Sequence, residues 1–557
     1  MNINPQTMSI ARFFGGPQEQ FYIPAYQRRY SWGKTQILDM YNDIISLDNN
    51  DTHLLGNVVF LTSVHTPGIN RLELVDGQQR ITSLTLFFKA IKERSIILGI
   101  QTIANNIDQY LHAQETVDKS SNKLLLGDLD NPDYKSLMEW EDIDTIKNQN
   151  LLDNYNYLYS KINLLESEEL KSLYSKLINS VFIIRLDIDA AKDAYKLFET
   201  INNRGLSLSA TDIIKNFLLG KASNIDDKTL DKVRNNWKGV IINLDNIKMD
   251  NFFRQLMSSI LEKKVSNNDL IEEFKKYYDF LISKDDQASV LVSFSKKILM
   301  ASEIYSKIIQ QNFQSDLINT HLDNLARVES LPSYIFLLNI FQRDDLKDKE
   351  IVSILQIIET FMLRRTICEY RTGELDVIFS KLVKLNSKNI IKTMQCELLK
   401  DTPSDVEFEM KFPTATFTTK ANRAKYILEQ FEYDAIDHQN EFRLTRGQEL
   451  HLEHIIPQKI TSKKFESWEN YLGLNAHIQH KEYLNRIGNF TLLGQELNIK
   501  ASNHPFQVKL EQYKKSNITL TQTIAENYQD FRFEEVEQRS LSMAKKAVEI
   551  WKITCDE

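Results

Sequence analysis

The sequence predicts a multidomain α+β protein that is predominantly helical, and three observations support this fold class. Its 557 residues are enough for three or four domains of about 100–200 residues each. Strand and helix patterns alternate near the N-terminus, whereas helical spacing dominates the middle of the chain. A strand pattern returns beyond residue 440. We therefore predict an α/β domain over residues 1–225, a helical connector over residues 226–400 and a third domain with a helical tail over residues 401–557.

The first elements follow from apolar runs and turn residues. Two apolar runs, residues 53–61 and residues 71–75, predict buried strands. The second run ends at an Asp-Gly turn, and apolar residues then recur at helical spacing. Residues 76–80 are therefore expected to lie at a strand-to-helix junction.

A third strand is predicted over residues 181–186, and a helix follows it. This helix is expected to stop near Gly205, since a glycine commonly ends a helix. Ser209 and Asp212 have the spacing of a capping box, so a second helix should begin there.

The last third of the chain starts with a helix over residues 423–431, after which residues 441–444 predict a strand. The tail from about residue 519 to residue 551 again has helical spacing.

Composition limits the classes of function. The net charge of −8 excludes a wholly basic, histone-like nucleic-acid binder. A local basic surface is compatible with it, because residues 441–520 contain three more basic than acidic residues.

The cysteines and the hydropathy pattern predict the location of the protein. The three cysteines, Cys368, Cys396 and Cys555, are widely separated and odd in number, so we expect neither a disulfide framework nor a cysteine zinc site. The N-terminus lacks a secretory signal, and no apolar run approaches the roughly 20 residues that cross a bilayer. These features predict a cytoplasmic protein without a membrane partner.

The segment from His451 to Pro457 is rich in groups that carry hydrolytic chemistry. Glu453 and a distal asparagine, Asn498, can hold a divalent cation, and oxygen ligands suit Mg²⁺ or Mn²⁺. A neutral imidazole near its ordinary pKa suits His454 as the general base that deprotonates water. Asn489 can orient that histidine. The combination favours a ββα-metal phosphodiesterase that cuts nucleic acid.

Two alternatives remain open from the residues themselves. His451 and His454, with His477 and His480, form two H-x-x-H pairs that can hold structural zinc, although cysteine normally participates in such sites. The histidines can also be surface residues around a loop, without a ligand.

A second cluster lies near the N-terminus. Residues 23–32 combine aromatic and basic side chains, and residues 76–82 read Asp-Gly-Gln-Gln-Arg-Ile-Thr. A glycine and the N–H groups of a helix start favour phosphate binding, to which Arg80 adds charge, and Asp76 can hold a cation or a water. The alternative is a capped turn with Arg80 in an ion pair and with the aromatic residues in the core.

The C-terminal segment resembles the HNH, or His-Me finger, nuclease superfamily. Asn489 follows His454 by 35 residues, and Asn498 follows Asn489 by nine. The resemblance implies that Glu453 and Asn498 are metal ligands, His454 is the base and Asn489 orients it. Glu453 replaces the commoner aspartate, and Asn498 stands where many members have histidine. His451 is a candidate for a further ligand or a phosphate contact, and the candidates for DNA contacts, by residue type, are Asn485, Lys500 and Lys509.

The N-terminal segments resemble the ParB-like DGQQR domain of GmrSD-type modification-dependent restriction proteins. The similarity extends to residues 198–209 with Asp212 and Lys215, and to residues 363–368. For Asp212 we favour a capping role over a role in the pocket. The resemblance implies nucleotide binding or hydrolysis, or contact with a modified base, by Gln27, Arg28, Asp76, Gly77, Gln78, Gln79 and Arg80.

The function implied is a nucleotide-regulated, modification-dependent DNA endonuclease in antiphage defence. Its cofactors would be Mg²⁺ or Mn²⁺ and a nucleoside triphosphate. Its partner would be double-stranded DNA, above all modified phage DNA, and a homodimer is a further candidate arrangement. The alternatives are a nucleotide-switched DNA clamp, an NTPase without cleavage, and an unselective nuclease toxin.

Overall fold

The computed structural model describes residues 4–48, 51–62, 65–66, 68–116, 119–202, 209–282, 286–385, 389–435, 450–461 and 468–555. Chain contacts divide the protein into two compact units. The N-terminal unit comprises Met1–Phe253 and Ser266–Glu303, and the C-terminal unit comprises Arg254–Val265 and Ile304–Glu557. The predicted fold class, multidomain and predominantly helical with a mixed sheet near the N-terminus, is confirmed.

The elements from the N-terminus through α13 are nine strands and thirteen helices within the described residues. In chain order they are β1 (Asn4–Ser9), α1 (Ile10–Phe14), β2 (Glu19–Tyr22), α2 (Lys34–Ile45), β3 (His53–Leu61), β4 (His65–Thr66), β5 (Ile69–Asp76), α3 (Gln78–Ile97), α4 (Gln101–Leu111), β6 (His112–Thr116), β7 (Lys119–Asn122), β8 (Leu124–Leu125), α5 (Asn131–Glu139), α6 (Gln149–Ile162), α7 (Ser167–Ser175), β9 (Val181–Ile188), α8 (Ala191–Asn202), α9 (Ala210–Ser223), α10 (Asp227–Asn243), α11 (Met249–Leu261), α12 (Leu270–Ile282) and α13 (Gln287–Gln310).

A mixed seven-stranded sheet organises the N-terminal unit. Its strand order is β1-β9-β3-β5-β2-β8, and β4 pairs with β5 beside this path. The pairs β3–β9, β2–β5 and β2–β8 are parallel, whereas β1–β9 and β3–β5 are antiparallel. One buried apolar cluster joins these strands to helices α1–α7.

The predicted strand-to-helix junction is present between β5 and α3. Gly77 separates them with φ +97°, and a Cβ at this position would lie 3.0 Å from Val58 Cγ2. A left-handed backbone and a close neighbour together require glycine here. α3 is buried along most of its length, which makes it a core helix rather than an amphipathic surface helix.

The helix predicted to begin at Ser209 is present as α9, with Ser209 as its N-cap residue and Asp212 bonded to the Ser209 hydroxyl. Asp212 N donates to Ser209 Oγ over 3.1 Å, and Ser209 Oγ donates back to Asp212 Oδ2 over 2.8 Å. The glycine predicted to end the preceding helix, Gly205, lies outside the described residues.

The elements after α13 belong to the C-terminal unit. They are α14 (Asp316–Arg327), α15 (Tyr334–Ile340), α16 (Asp348–Ile367), α17 (Leu375–Val383), α18 (Ile390–Leu399), α19 (Asp405–Lys411), α20 (Ala421–Ala435), β10 (Leu450–His454), α21 (Trp468–Leu472), α22 (Ala476–Tyr483), β11 (Phe490–Gly494), α23 (Gln495–Ala501), α24 (Phe506–Tyr513), α25 (Thr519–Asn527) and α26 (Phe533–Ile550).

The structure adds detail to the predicted connector and tail. The described residues of 226–400 are mainly helical, and their helices are divided between the two units. The helix predicted over residues 423–431 is contained in α20, and the tail forms α25 and α26. The strand predicted over residues 441–444 lies outside the described residues. None of the described helices is long and apolar enough to cross a bilayer.

A disulfide joins Cys396 to Cys555, which are 159 residues apart in sequence. The expectation that the cysteines form no disulfide is therefore wrong, because sequence separation concealed their proximity in the fold. Such bonds are rare in the cytosol, so this one gives no support to the cytoplasmic location, which stays a prediction.

The two arginines of residues 363–368 connect distant segments of the C-terminal unit. Both are buried in the last turn of α16. Arg364 donates to the carbonyl of Trp551 over 2.9 Å and to Asp405 over 2.7 Å. Arg365 donates to the carbonyl of Asp401 over 2.6 Å. The pair connects the end of α16 to segments distant in sequence, so this motif stabilises the fold.

Candidate functional site

A hairpin and a short helix bring the C-terminal motif residues together. β10 pairs with β11 in antiparallel register, with His454 opposite Phe490. Gly494 ends β11, and α23 begins at the next residue and packs against both strands. The sequence order β-β-α therefore places the Glu453-His454 pair, Asn489 and Asn498 on adjoining elements. Since neighbouring strand residues point to opposite faces, Glu453 and His454 point in different directions.

His454 is mostly buried and neutral. Burial lowers its pKa to about 4, which a hydrogen bond with Asn485 partly opposes. Its ring meets the ring of Phe490 edge-on at 4.8 Å. The sequence predicted a neutral imidazole near its ordinary pKa, and the structure gives a neutral imidazole with a lower pKa. A neutral ring is the form that can accept a proton.

Asn489 is completely buried and holds the loop that follows His454. Its Oδ1 accepts from Ile456 N over 2.8 Å, and its Nδ2 donates to the carbonyls of Ile456 and Leu484 over 3.0 and 2.9 Å. All three bonds go to the backbone. An orienting effect on His454 would therefore act through the chain that leaves β10, and this role stays a prediction.

Glu453 binds two side chains of α24. Its Oε1 accepts from Lys509 Nζ over 2.7 Å and from the Tyr513 hydroxyl over 3.0 Å. Lys509 also donates to the carbonyl of His454 over 2.7 Å. Burial raises the pKa of Glu453 and lowers the pKa of Lys509, and the contact between them opposes both shifts.

The prediction of Lys509 as a DNA contact is wrong. Its side chain is 0% exposed, so its ammonium cannot reach a phosphate in solution. The sequence did contain a signal of burial, because Phe506, Leu510 and Tyr513 form a buried stripe at helical spacing and Lys509 falls within it. The residue type alone predicts a surface cation, whereas the stripe predicts a buried one.

The other two candidates for DNA contacts occupy different surroundings. Lys500 is exposed and forms an ion pair with Glu496, one turn earlier in α23. Asn485 Nδ2 donates to Thr418 Oγ1 over 3.2 Å, and the same side chain hydrogen-bonds to His454. Asn485 is thus a neighbour of the candidate base.

Within the described residues, two buried atoms of β10 and α23 lack a hydrogen-bond partner. They are His451 Nε2 on β10 and Asn498 Oδ1 on α23. An imidazole nitrogen and an amide oxygen are both metal ligands in proteins, so each atom is chemically suited to bind a cation. Glu453, the third predicted ligand, directs one carboxylate oxygen to Lys509 and Tyr513 instead.

The zinc alternative has no support in the described part of the chain. There, no group of three or more His, Cys, Asp or Glu side chains could hold a metal. His477 Nε2 contacts Glu469 at 3.0 Å, and His480 Nε2 contacts the carbonyl of Pro457 at 2.8 Å. The second H-x-x-H pair therefore ties α22 to its surroundings.

Gly488 lets α26 approach the hairpin closely. A Cβ at this position would lie 2.1 Å from the carbonyl oxygen of Val536 and 2.3 Å from Ser540 Oγ. Gly488→Ala should therefore destabilise the C-terminal unit by about 1–3 kcal/mol through overpacking. Faster hydrogen exchange in β11 would report this effect. Gly494→Ala is the matched control, since nothing lies within 4 Å of its added Cβ, and equal protection in both variants would contradict the prediction.

In the N-terminal unit, the second glutamine of the Asp-Gly-Gln-Gln-Arg turn, Gln79, binds the backbone of residues 29–32. Gln79 Oε1 accepts from Ser31 N and Trp32 N over 2.8 and 3.1 Å, and its Nε2 donates to the carbonyl of Arg29 over 3.2 Å. The side-chain amide of Gln27 likewise donates to the carbonyl of Val75. Gln79 thus fixes the backbone of residues 29–32.

Arg80 matches the structural alternative for this turn. It lies 3.7 Å from Asp76 and donates to the carbonyl of Asn57 over 2.7 Å. It also passes Gly56, where a Cβ would lie 2.6 Å from the guanidinium. Burial raises the pKa of Asp76, against the effect of Arg80. The first glutamine of the turn, Gln78, has a buried Oε1 that lacks a hydrogen-bond partner within the described ranges.

The aromatic residues of residues 23–32 belong mainly to the core. Tyr26 and Tyr30 are buried, and their hydroxyls bond to Glu73 and Ser83 respectively. Arg28 instead leaves 42% of its side chain exposed, 3.6 Å from Asp212. Asp212 therefore both caps α9 and balances charge on Arg28.

Two comparisons assign the chain to a family. The model of the GmrSD restriction endonuclease N-terminal domain matches residues 10–219, and the model of the GmrSD C-terminal domain matches residues 402–546. These segments contain both candidate sites and together cover more than half of the chain. A search of curated proteins finds no match. The chain therefore belongs to the GmrSD family of restriction endonucleases, whose substrate is DNA.

Proposed function

We propose that the protein is a nucleotide-regulated endonuclease of phage defence that cuts modified DNA at the β10–β11–α23 site. The observation that carries this proposal is a neutral, mostly buried His454 on a ββα arrangement that also holds two unpartnered ligand atoms. Family membership supports DNA as the substrate. Dependence on modification and on a nucleotide is the extension that we propose.

His451 and Asn498 are the residues that would hold a divalent cation. One nitrogen and one oxygen ligand favour Mn²⁺ over Mg²⁺, which prefers oxygen. When bound, such an ion would lower the pKa of a water and offset negative charge on the phosphate. Glu453 would support the site through its bonds with Lys509 and Tyr513.

The protein's own residues have separable roles in this proposal. His454 takes up the proton of the water that attacks the phosphodiester. Asn489 keeps the loop after His454 in place through its three backbone bonds. Lys509 binds both the Glu453 carboxylate and the His454 carbonyl, so it holds the strand that presents the base.

In the N-terminal unit we propose nucleotide binding near Arg28 and the 76–80 turn. The exposed guanidinium of Arg28 and the unpartnered, buried oxygen of Gln78 support a polar ligand there. The turn residues that bond to the backbone would act by holding this region in shape.

A cleavage assay tests the proposal as a whole. The purified full-length protein should linearise or nick modified DNA in Mn²⁺, and a nucleoside triphosphate should change the rate. Unmodified, hydroxymethylated, glucosylated and phosphorothioate DNA are the arms that identify the modification. Absence of cutting in every arm would favour the alternative of a DNA-binding clamp. Equal cutting of every arm would favour an unselective nuclease.

A further inference from the structure

Helix α26 binds the backbone at the start of β11 through two consecutive residues. Arg539 Nη1 donates to the carbonyls of Gly488 and Phe490 over 2.8 and 2.6 Å. Ser540 Oγ accepts from Gly488 N over 3.1 Å. The helix therefore bonds to both residues that flank Asn489.

The carbonyls of residues 488–490 all have a hydrogen-bond donor, and the outer two share Arg539. The middle carbonyl, that of Asn489, accepts from Ile455 N over 2.9 Å. Ile455 is the residue that directly follows His454 in sequence. Because buried backbone groups are held in place by such bonds, the chain is fixed on both sides of the hairpin beside the candidate base.

The side chain of Phe490 connects this backbone to the imidazole of His454. The two residues lie opposite each other in the β10–β11 register, and their rings meet edge-on at 4.8 Å. Phe490 is buried, so its ring has little free space in which to move independently of its backbone. A displacement of the Phe490 backbone would therefore displace the ring that contacts His454.

Arg539 is a buried cation, and no ion pair of its side chain is present in the described part of the chain. Burial lowers its pKa to about 10, so the guanidinium is still charged at neutral pH. A buried charge carries a desolvation cost that an apolar side chain would not have. In return, the guanidinium makes strong charge-assisted bonds to two carbonyls at once, which fixes their separation.

We propose that Arg539 is a positioning residue of the nuclease site, which sets the placement of the His454 imidazole through the backbone of Gly488 and Phe490. This inference rests on the cleavage proposed above at the β10–β11–α23 site, and it adds α26 to that site. Arg539 itself touches neither the substrate nor a metal in this arrangement. Its effect on the rate is nevertheless large, because a misplacement of about 1 Å can reduce a rate by about 10²-fold.

Arg539→Lys in the full-length protein tests this role. Lysine keeps the positive charge, but it lacks the planar fork of guanidinium nitrogens and cannot reproduce its geometry. With the DNA arm that the wild-type protein cuts, the single-turnover rate in Mn²⁺ should fall by about 10–100-fold. The dissociation constant for the same DNA and the hydrogen-exchange protection of β10 and β11 should stay at their wild-type values.

Nuclear magnetic resonance of the histidine side chains separates placement from stability. The ring of Phe490 shifts the proton resonances of the His454 ring that it contacts, so these resonances should move in Arg539→Lys even where exchange protection is unchanged. Arg532→Lys, at the exposed N-cap residue of the same helix, is the matched control. We expect this control to have the wild-type rate and the wild-type His454 resonances.

The outcomes separate the inference from the proposed function. Absence of cleavage by the wild-type protein in every DNA arm would overturn both. Cleavage by the wild-type protein and at the same rate by Arg539→Lys would overturn the inference alone. A lower rate that is accounted for by lost protection in β10 and β11, or by weaker DNA binding, would give Arg539 a structural or binding role and would also overturn the inference.

Discussion

Replacing His454 with alanine is expected to reduce DNA cleavage by about 10²–10⁴-fold, the usual contribution of a general base. The structure supports this because the ring is neutral at neutral pH and lies on β10, the strand that also carries the proposed ligand His451. The measurement is the single-turnover rate of plasmid cleavage in Mn²⁺. Nucleotide binding by the N-terminal unit should be retained.

His477→Ala is the matched control for this variant. The side chain of His477 is 59% exposed, and its ring contacts Glu469. We expect this control to cut at the wild-type rate. Because His454 also packs against Phe490, hydrogen exchange in β10 and β11 must show that the hairpin is intact. Wild-type cutting by an intact His454→Ala protein would remove the base from the mechanism.

The second large effect is expected from Lys509→Met. The substitution leaves the buried Glu453 carboxylate without its cation, and removal of one partner of a buried pair costs about 3–5 kcal/mol. Hydrogen exchange is the suitable measurement, because a chain of two units does not give a single unfolding transition. Protection should fall in β10 and α24.

Two further variants make this prediction specific. Glu453→Leu/Lys509→Met removes both charges and should recover much of the lost protection, since apolar replacement of a buried pair is often neutral. Lys514→Met removes an exposed lysine that pairs with Glu511, and surface pairs contribute about 0–1 kcal/mol. If Lys509→Met behaved like Lys514→Met, the Glu453–Lys509 contact would have no role in the stability of the hairpin.

Local patterns predicted much of the fold. The β5–α3 junction followed from an apolar run, an Asp-Gly turn and a helical repeat within about twenty residues. The cap of α9 followed from two residues three positions apart. Both depend on short-range chemistry, which one sequence displays directly.

Contacts between distant segments were not predictable in the same way. Lys509 lies 56 residues from Glu453, and a lysine more often marks a surface than a buried pair. The Cys396–Cys555 bond and the division of the helical region between two units depend on the assembled fold. The sequence suggested which residue types the nuclease site needs, but the partner of each side chain became visible only in three dimensions.

The complete hydrogen bonding of Asn489 has a consequence for comparing related sequences. Its amide offers an acceptor and two donors to three backbone groups at once. An ionised aspartate has no donor, and glutamine is longer by a methylene, so neither can substitute without leaving a polar group unpaired. A relative without a histidine at the position of His454 would still need this asparagine to close the hairpin. An asparagine at this position therefore diagnoses the architecture, and a claim of activity must come from other positions.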